Sequence, residues 1–158
     1  MNRLGKLSGV AVATVLGSGF CPVAPGTAGS IASSFVFWLV RSLFPTWVES
    51  ASLVLILPLS MWGCRQGYAL WGGDPPCVNV DEFAGCWIAC LAVPLSWGVP
   101  GIVSALVIFR FFDILKPWPV SYFDRMKTPA GILLDDIAAG VLSAILIGLG
   151  VLVHARFF

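Results

Sequence analysis

The sequence predicts an all-α membrane fold, and three observations carry that prediction. The 158-residue chain is 58% hydrophobic and only 11% charged, whereas soluble domains carry roughly 25% charged residues. Too few charges are present to coat a water-exposed surface. Gly and Pro divide the apolar sequence into helix-length segments. Several of these approach the ~20 residues needed to cross a hydrocarbon core. The expected architecture is a compact helical membrane protein with three or four membrane-crossing helices plus short interfacial helices. It is one domain over residues 1–158.

In chain order, Leu7 to Leu16 reads as a short apolar helix, interfacial or re-entrant. Arg3 and Lys6 precede it. However, Gly17-Ser18-Gly19 and Pro22-Val23-Ala24-Pro25-Gly26 look like a structured loop rather than a cleavage site, so the segment is expected to stay in the mature protein. Residues 17–29 read as a Gly/Pro loop, and Ser30 to Leu43 as an apolar helix ending near Pro45. Val48 to Leu70 is a long apolar segment interrupted by Arg65 and Gln66, followed by a loop over 72–78.

Val80 to Ser96 begins with an acid pair and then turns apolar. The next helix starts at Pro100 or Gly101. It stops at Leu115, because Lys116 precedes Pro117 and a residue before proline avoids the helical region. Pro119 to Met126 reads as a short amphipathic turn or helix. Ile132 to Val153 is the last helix, opened by Asp135-Asp136. The crossing candidates are 48–70, 83–99, 99–115 and 137–155. Trp47, Trp71, Trp97 and Trp118 sit near segment ends, where an interfacial aromatic belt belongs.

Net charge is +1, so there is no basic field for nucleic acid. The five cysteines are odd in number and lie mostly in apolar runs, which suits a reduced or membrane-buried setting better than a disulfide framework. The acids are the informative residues. Of eight, six are Asp81, Glu82, Asp113, Asp124, Asp135 and Asp136. Acids are costly to bury without a partner, so a group of them in a greasy chain predicts a shared cation. Arg110, Lys116, Arg125 and Lys127 are interleaved with them. Acids for a metal and bases for an anion point to a metal-dependent site for a phosphorylated lipid.

Four constellations carry that chemistry. Pro25-Gly26-Thr27-Ala28-Gly29-Ser30 precedes an apolar helix, where free backbone N–H groups and the Thr27 and Ser30 hydroxyls suit an anion. An ordinary capped helix start is the plain alternative. Asp81-Glu82 opens a helix, where the dipole alone favours acids; the pair also suits Mg²⁺, which takes few carboxylates. Gly85 leaves room for another backbone or a ligand. Arg110 and Asp113 share a helix face, either as a structural ion pair or with Arg110 or Lys116 gripping phosphate. Asp135-Asp136, with Gly140 beyond, repeats the second constellation, so the two acid pairs are expected to face one another.

Together these blocks resemble a known family. Residues 17–30, Asp81-Glu-Phe-Ala-Gly-Cys-Trp-Ile88, Phe109-Arg-Phe-Phe-Asp-Ile-Leu-Lys-Pro-Trp-Pro119, Asp124-Arg125 and Asp135-Asp-Ile-Ala-Ala-Gly140 are similar to phosphatidylglycerophosphatase A. The likeness is collinear over about residues 15–150. It implies a Mg²⁺-dependent phosphatase of the bacterial inner membrane. Such an enzyme converts phosphatidylglycerophosphate to phosphatidylglycerol and phosphate. Because Lys and Arg concentrate on cytoplasmic connections and Arg110, Lys116, Arg125 and Lys127 surround the acids, the site is expected to face the cytoplasm. On this reading Asp81, Glu82, Asp135 and Asp136 hold the metal, and Asp113 and Asp124 are further candidates. Arg110, Lys116 and Arg125 neutralise the phosphate, and Thr27, Gly29 and Ser30 bind its remaining oxygens. Asp74 is a weaker candidate. The partners are the bilayer and its phospholipid. The main rival is an ion-coupled transporter using the acids as a cation site, for which acids near mid-helix are expected. Acids at helix starts, beside basic residues, favour the enzyme.

Overall fold

The computed structural model describes residues 3–157, which form helices and no strand. The helices are α1 (Arg3–Ala13), α2 (Pro25–Leu43), α3 (Trp47–Ala51), α4 (Leu53–Trp71), α5 (Val80–Leu91), α6 (Gly98–Leu115), α7 (Val120–Asp124) and α8 (Pro129–Phe157). Short 3₁₀ turns lie at Ser18–Phe20 and Leu95–Trp97. Three stretches are long and apolar enough to cross a membrane: Trp47–Trp71, Leu95–Leu115 and Pro129–Phe157. The fourth expected crossing, 83–99, is not one helix. α5 ends at Leu91, short of Pro94, and its 12 residues reach only about 18 Å.

α5 is instead the central helix, packed most extensively against α8 and α2. Its sequence explains this. Ala84, Gly85, Cys86, Ala89 and Cys90 are small and buried, so neighbouring helices approach closely. The closest approach is to α8. A Cβ on Gly140 would lie 2.3 Å from the Gly85 carbonyl oxygen, and one on Gly85 would lie 2.5 Å from that of Asp136. The room beside Gly85 is therefore taken by backbone, and the two acid-bearing helices cross face to face.

Two helix starts differ from expectation. α2 begins at Pro25 rather than Ser30, because proline's fixed φ suits the first helical position. α8 begins at Pro129, where the Thr128 hydroxyl accepts the Gly131 N–H at 3.1 Å. Asp135 and Asp136 thus lie in its second turn, beyond the reach of the helix-start dipole.

α1 runs antiparallel to α4, with Gly9 against Gln66 and Gly63 against Val12 and Ala13. It ends there, about midway along α4. The Ala13 carbonyl accepts the Asn79 N–H at 3.0 Å. The far end of the bundle is held by Arg41 and Glu49. Arg41 donates to Glu49 Oε1 and Oε2 at 2.9 and 2.7 Å and to the Val93 carbonyl at 3.0 Å. The Trp87 indole N–H donates to the Glu49 carbonyl at 3.0 Å.

Candidate active site

The loop after α4 returns the chain into the bundle. Asn79, fully buried, fixes where α5 begins. Its side-chain amide donates to the Ser18 hydroxyl and the Pro25 carbonyl, both at 3.0 Å. One side chain therefore ties the 18–25 segment and the start of α2 to the start of α5. A Cβ on Gly29 would lie 2.6 Å from the Asn79 carbonyl oxygen. The sequence signal for Asn79 is its place at the N-cap of α5, one residue before Val80 and two before the acid pair, although its side chain bonds the 18–25 segment rather than capping α5.

With α5 placed this way, Asp81 is buried and Glu82 half-buried. α8 brings Asp136 to them across the Gly85–Gly140 crossing. Carboxylate oxygens of Asp81, Glu82 and Asp136 lie within 4.8 Å of one another. Both acid pairs share a local geometry: the first acid's Oδ1 accepts the next residue's N–H, at 3.1 Å in each. Burial, with the Glu82 charge adding, holds the Asp81 carboxyl well above the usual range. Burial and the Asp136 charge push Glu82 up to about 8. Glu82 Oε2 and Asp136 Oδ1 are buried without a hydrogen-bond partner. Orphaned acceptors on crowded carboxylates are what a cation relieves.

These acids open onto a cavity of about 200 Å³. Six carboxyl groups line it, from Asp74, Asp81, Glu82, Asp113, Asp135 and Asp136, against the single ammonium of Lys116. Lys116 ends α6 in the left-handed conformation, at φ 46°. Its Nζ donates to Asp124 Oδ1 at 2.5 Å and to Asp135 Oδ2 at 2.9 Å. Burial works against its charge, but these two bonds outweigh that and raise it above the ordinary lysine range. Lys116 in turn holds Asp124 below the usual carboxylate range. Asp135 therefore faces Lys116 rather than joining the group of three acids.

Arg110 lies 2.5 Å from Asp113 Oδ2 and 4.0 Å from Glu82 Oε1. Its Nε has no hydrogen-bond partner. A Cβ on Gly26 would lie 2.2 Å from Glu82 Oε1 and 3.1 Å from an Arg110 terminal nitrogen, so only glycine lets the start of α2 approach here. Thr27 is half-buried one residue on. Ser30 is fully buried, and its hydroxyl donates to the Gly26 carbonyl within α2. Arg125 is exposed just after α7. The structure thus groups Asp81, Glu82, Asp113, Asp135, Asp136, Arg110 and Lys116, with Gly26 beside them and Thr27 the next residue of α2. It turns Gly29 and Ser30 inward and leaves Arg125 outside.

A family model described as Phosphatidylglycerophosphatase A matches residues 11–151. A protein of Bacteroides thetaiotaomicron, provisionally named phosphatidylinositol-3-phosphatase, is 40% identical over 87% of this chain and 90% of its own. Proteins named Phosphatidylglycerophosphatase A from Escherichia coli and Haemophilus influenzae are 38% and 36% identical. They cover 84% and 86% of this chain, and 77% and 84% of their own lengths. No solved structure matches significantly.

Proposed function

We propose that this chain, which belongs to the phosphatidylglycerophosphatase A family and is a phosphatase, hydrolyses phosphatidylglycerophosphate to phosphatidylglycerol and phosphate in a Mg²⁺-dependent reaction. The observation that carries this is one cavity lined by six carboxyl groups and one ammonium, with orphaned buried oxygens on Glu82 and Asp136. That donor set fits Mg²⁺, a hard cation that prefers oxygen ligands. Asp81, Glu82 and Asp136 would hold it. When bound, the ion supplies charge stabilisation at phosphoryl oxygens and acidifies water.

The chain's other residues position the phosphate. Asp113 orients Arg110 toward the start of α2, and the guanidinium neutralises phosphoryl oxygens. Asp124 and Asp135 fix the Lys116 ammonium at the cavity wall. Thr27 and the first N–H groups of α2 add donors. Gly29 and Ser30 set the position of α2. Arg125 adds positive potential at the mouth. With Asp135 and Asp136 in a second turn, the helix-start argument against a transporter rests on Asp81 and Glu82 alone; family membership is what favours the enzyme.

The membrane is the bacterial inner membrane, and the site faces the cytoplasm. Of nine Lys and Arg, all but Arg41 and Arg156 fall toward the acid end of the bundle, as cytoplasmic ends do.

The test is phosphate release from phosphatidylglycerophosphate by purified protein, with Mg²⁺ and with chelator, beside calorimetric titration of Mg²⁺. Release should require the ion, and Asp136→Asn should abolish both binding and release in a folded protein. Undiminished release in chelator would sink the metal assignment. Phosphatidylinositol 3-phosphate belongs in the same assay, because one relative carries that substrate in its name. Preference for it would replace the proposed substrate.

A further inference from the structure

An apolar groove of about 540 Å³ runs between α2 and α6. Ile31, Phe35 and Trp38 line one wall, and Val99, Val103 and Leu106 the other. Most of these side chains are at least one-third exposed. The helical spacing says where the groove leads. On α2, Ile31, Phe35 and Trp38 follow Thr27 on one face; on α6, Leu106, Val103 and Val99 precede Arg110 on one face. Both faces therefore converge on the same head, where the Arg110 guanidinium lies beside Gly26. Arg110 sits between this head and the acid cavity, through its contacts with Asp113 and Glu82.

The groove itself runs from Val99 to Leu106, roughly 10 Å at the α-helical rise, and one further turn of α6 reaches Arg110, so that groove and head together extend about 16 Å. That is close to the depth of one leaflet of a hydrocarbon core about 30 Å thick. A cationic head joined to an apolar trough, together one leaflet deep, complements one ligand chemistry, a phosphorylated headgroup carrying a long acyl chain.

We infer that the α2–α6 groove seats one acyl chain of the lipid substrate while the phosphate enters the acid cavity past Arg110. The inference rests on the lipid-phosphatase reading and makes α2 and α6 the elements that set chain-length preference. Val99 and Val103 sit in the trough, away from the acids, and are its determinants.

The experiment compares dihexanoyl and dipalmitoyl phosphatidylglycerophosphate as substrates for purified wild type, Val103→Trp and Val99→Trp. Filling the trough should lower kcat/KM for the long-chain substrate by about tenfold, mainly through KM, and leave the short-chain substrate unchanged. Unchanged short-chain turnover shows that fold and site are intact. An equal effect on both substrates, or none on either, overturns the groove assignment. So does a wild-type dimer in detergent that Val103→Trp converts to monomer with a loss independent of chain length, because the trough is then an interface between copies. Wild type that releases phosphate from neither lipid refutes the phosphatase reading itself, a separate outcome.

Discussion

Gly140→Ala tests whether the crossing of α5 and α8 sets the spacing of the acids. The added methyl would lie 2.3 Å from the Gly85 carbonyl oxygen and 3.2 Å from Gly85 Cα, whereas ordinary contact begins at 3.4 Å. Neither neighbour is a flexible side-chain end, so the helices must separate by about 1 Å. Asp136 lies one turn before Gly140 on the same face of α8, and Asp81 and Glu82 lie on α5 across the crossing. The separation therefore moves Asp136 away from the other two carboxylates. A misplacement of about 1 Å costs on the order of a hundredfold in turnover, so phosphate release should fall by about that factor and Mg²⁺ affinity should fall with it. Gly148→Ala is the internal control. It lies on the same helix with nothing within 4 Å of its Cβ position, so it should be neutral or slightly stabilising. The assay is phosphate release beside thermal unfolding in detergent for all three proteins. If Gly140→Ala turns over like Gly148→Ala, the crossing does not govern the site.

Three further outcomes follow from the same geometry. Arg110→Met combined with Asp113→Asn should fold yet remain at least about a hundredfold slow, as the proposed role of the guanidinium on the phosphate requires; activity restored in the double mutant would make the pair purely structural. Glu49→Gln should destabilise the detergent-solubilised protein by roughly 1–3 kcal/mol, since half-buried Arg41 loses its neutralising partner while keeping its bond to the Val93 carbonyl, with phosphate release below the melting range little changed. Cys21 is exposed and lies on the acid end, whereas Cys64, Cys86 and Cys90 are buried; a membrane-impermeant maleimide should label Cys21 in inverted inner-membrane vesicles and not in intact spheroplasts.

The acid pairs were legible in the sequence because carboxylates in an apolar chain need a reason to be there, and the glycine after each pair marked a close helix approach. The starts of α2 and α8 were less well placed. Pro25 and Thr128-Pro129 carried helix-start signals, but the apolar runs that follow drew the boundaries inward. That shift made Asp135 look like a helix opener, when it faces a lysine brought from the end of α6. Local spacing gives no information about such a meeting, because Lys116 reaches Asp135 only through the turn after α6. The Arg41–Glu49 clamp was hidden for the same reason. The two residues lie on different helices around the Pro45 turn and share no periodic face. Apolar length also misled at 83–99, where a central helix wrapped by others reads like a membrane span.

The end of α1 midway along α4 has a consequence for biogenesis. A helix that ends within the bundle leaves its last carbonyls to be satisfied by something other than its own backbone. For Ala13 that group is the N–H of Asn79, which also determines where α5 and its acids begin. During synthesis α1 emerges well before Asn79 exists, so its final seat is not yet built. The Ala13 carbonyl gains this partner only once the start of α5 has arrived. Seating of the N-terminal helix and assembly of the acidic end of α5 are therefore one late step, and a chain stalled before residue 79 has neither.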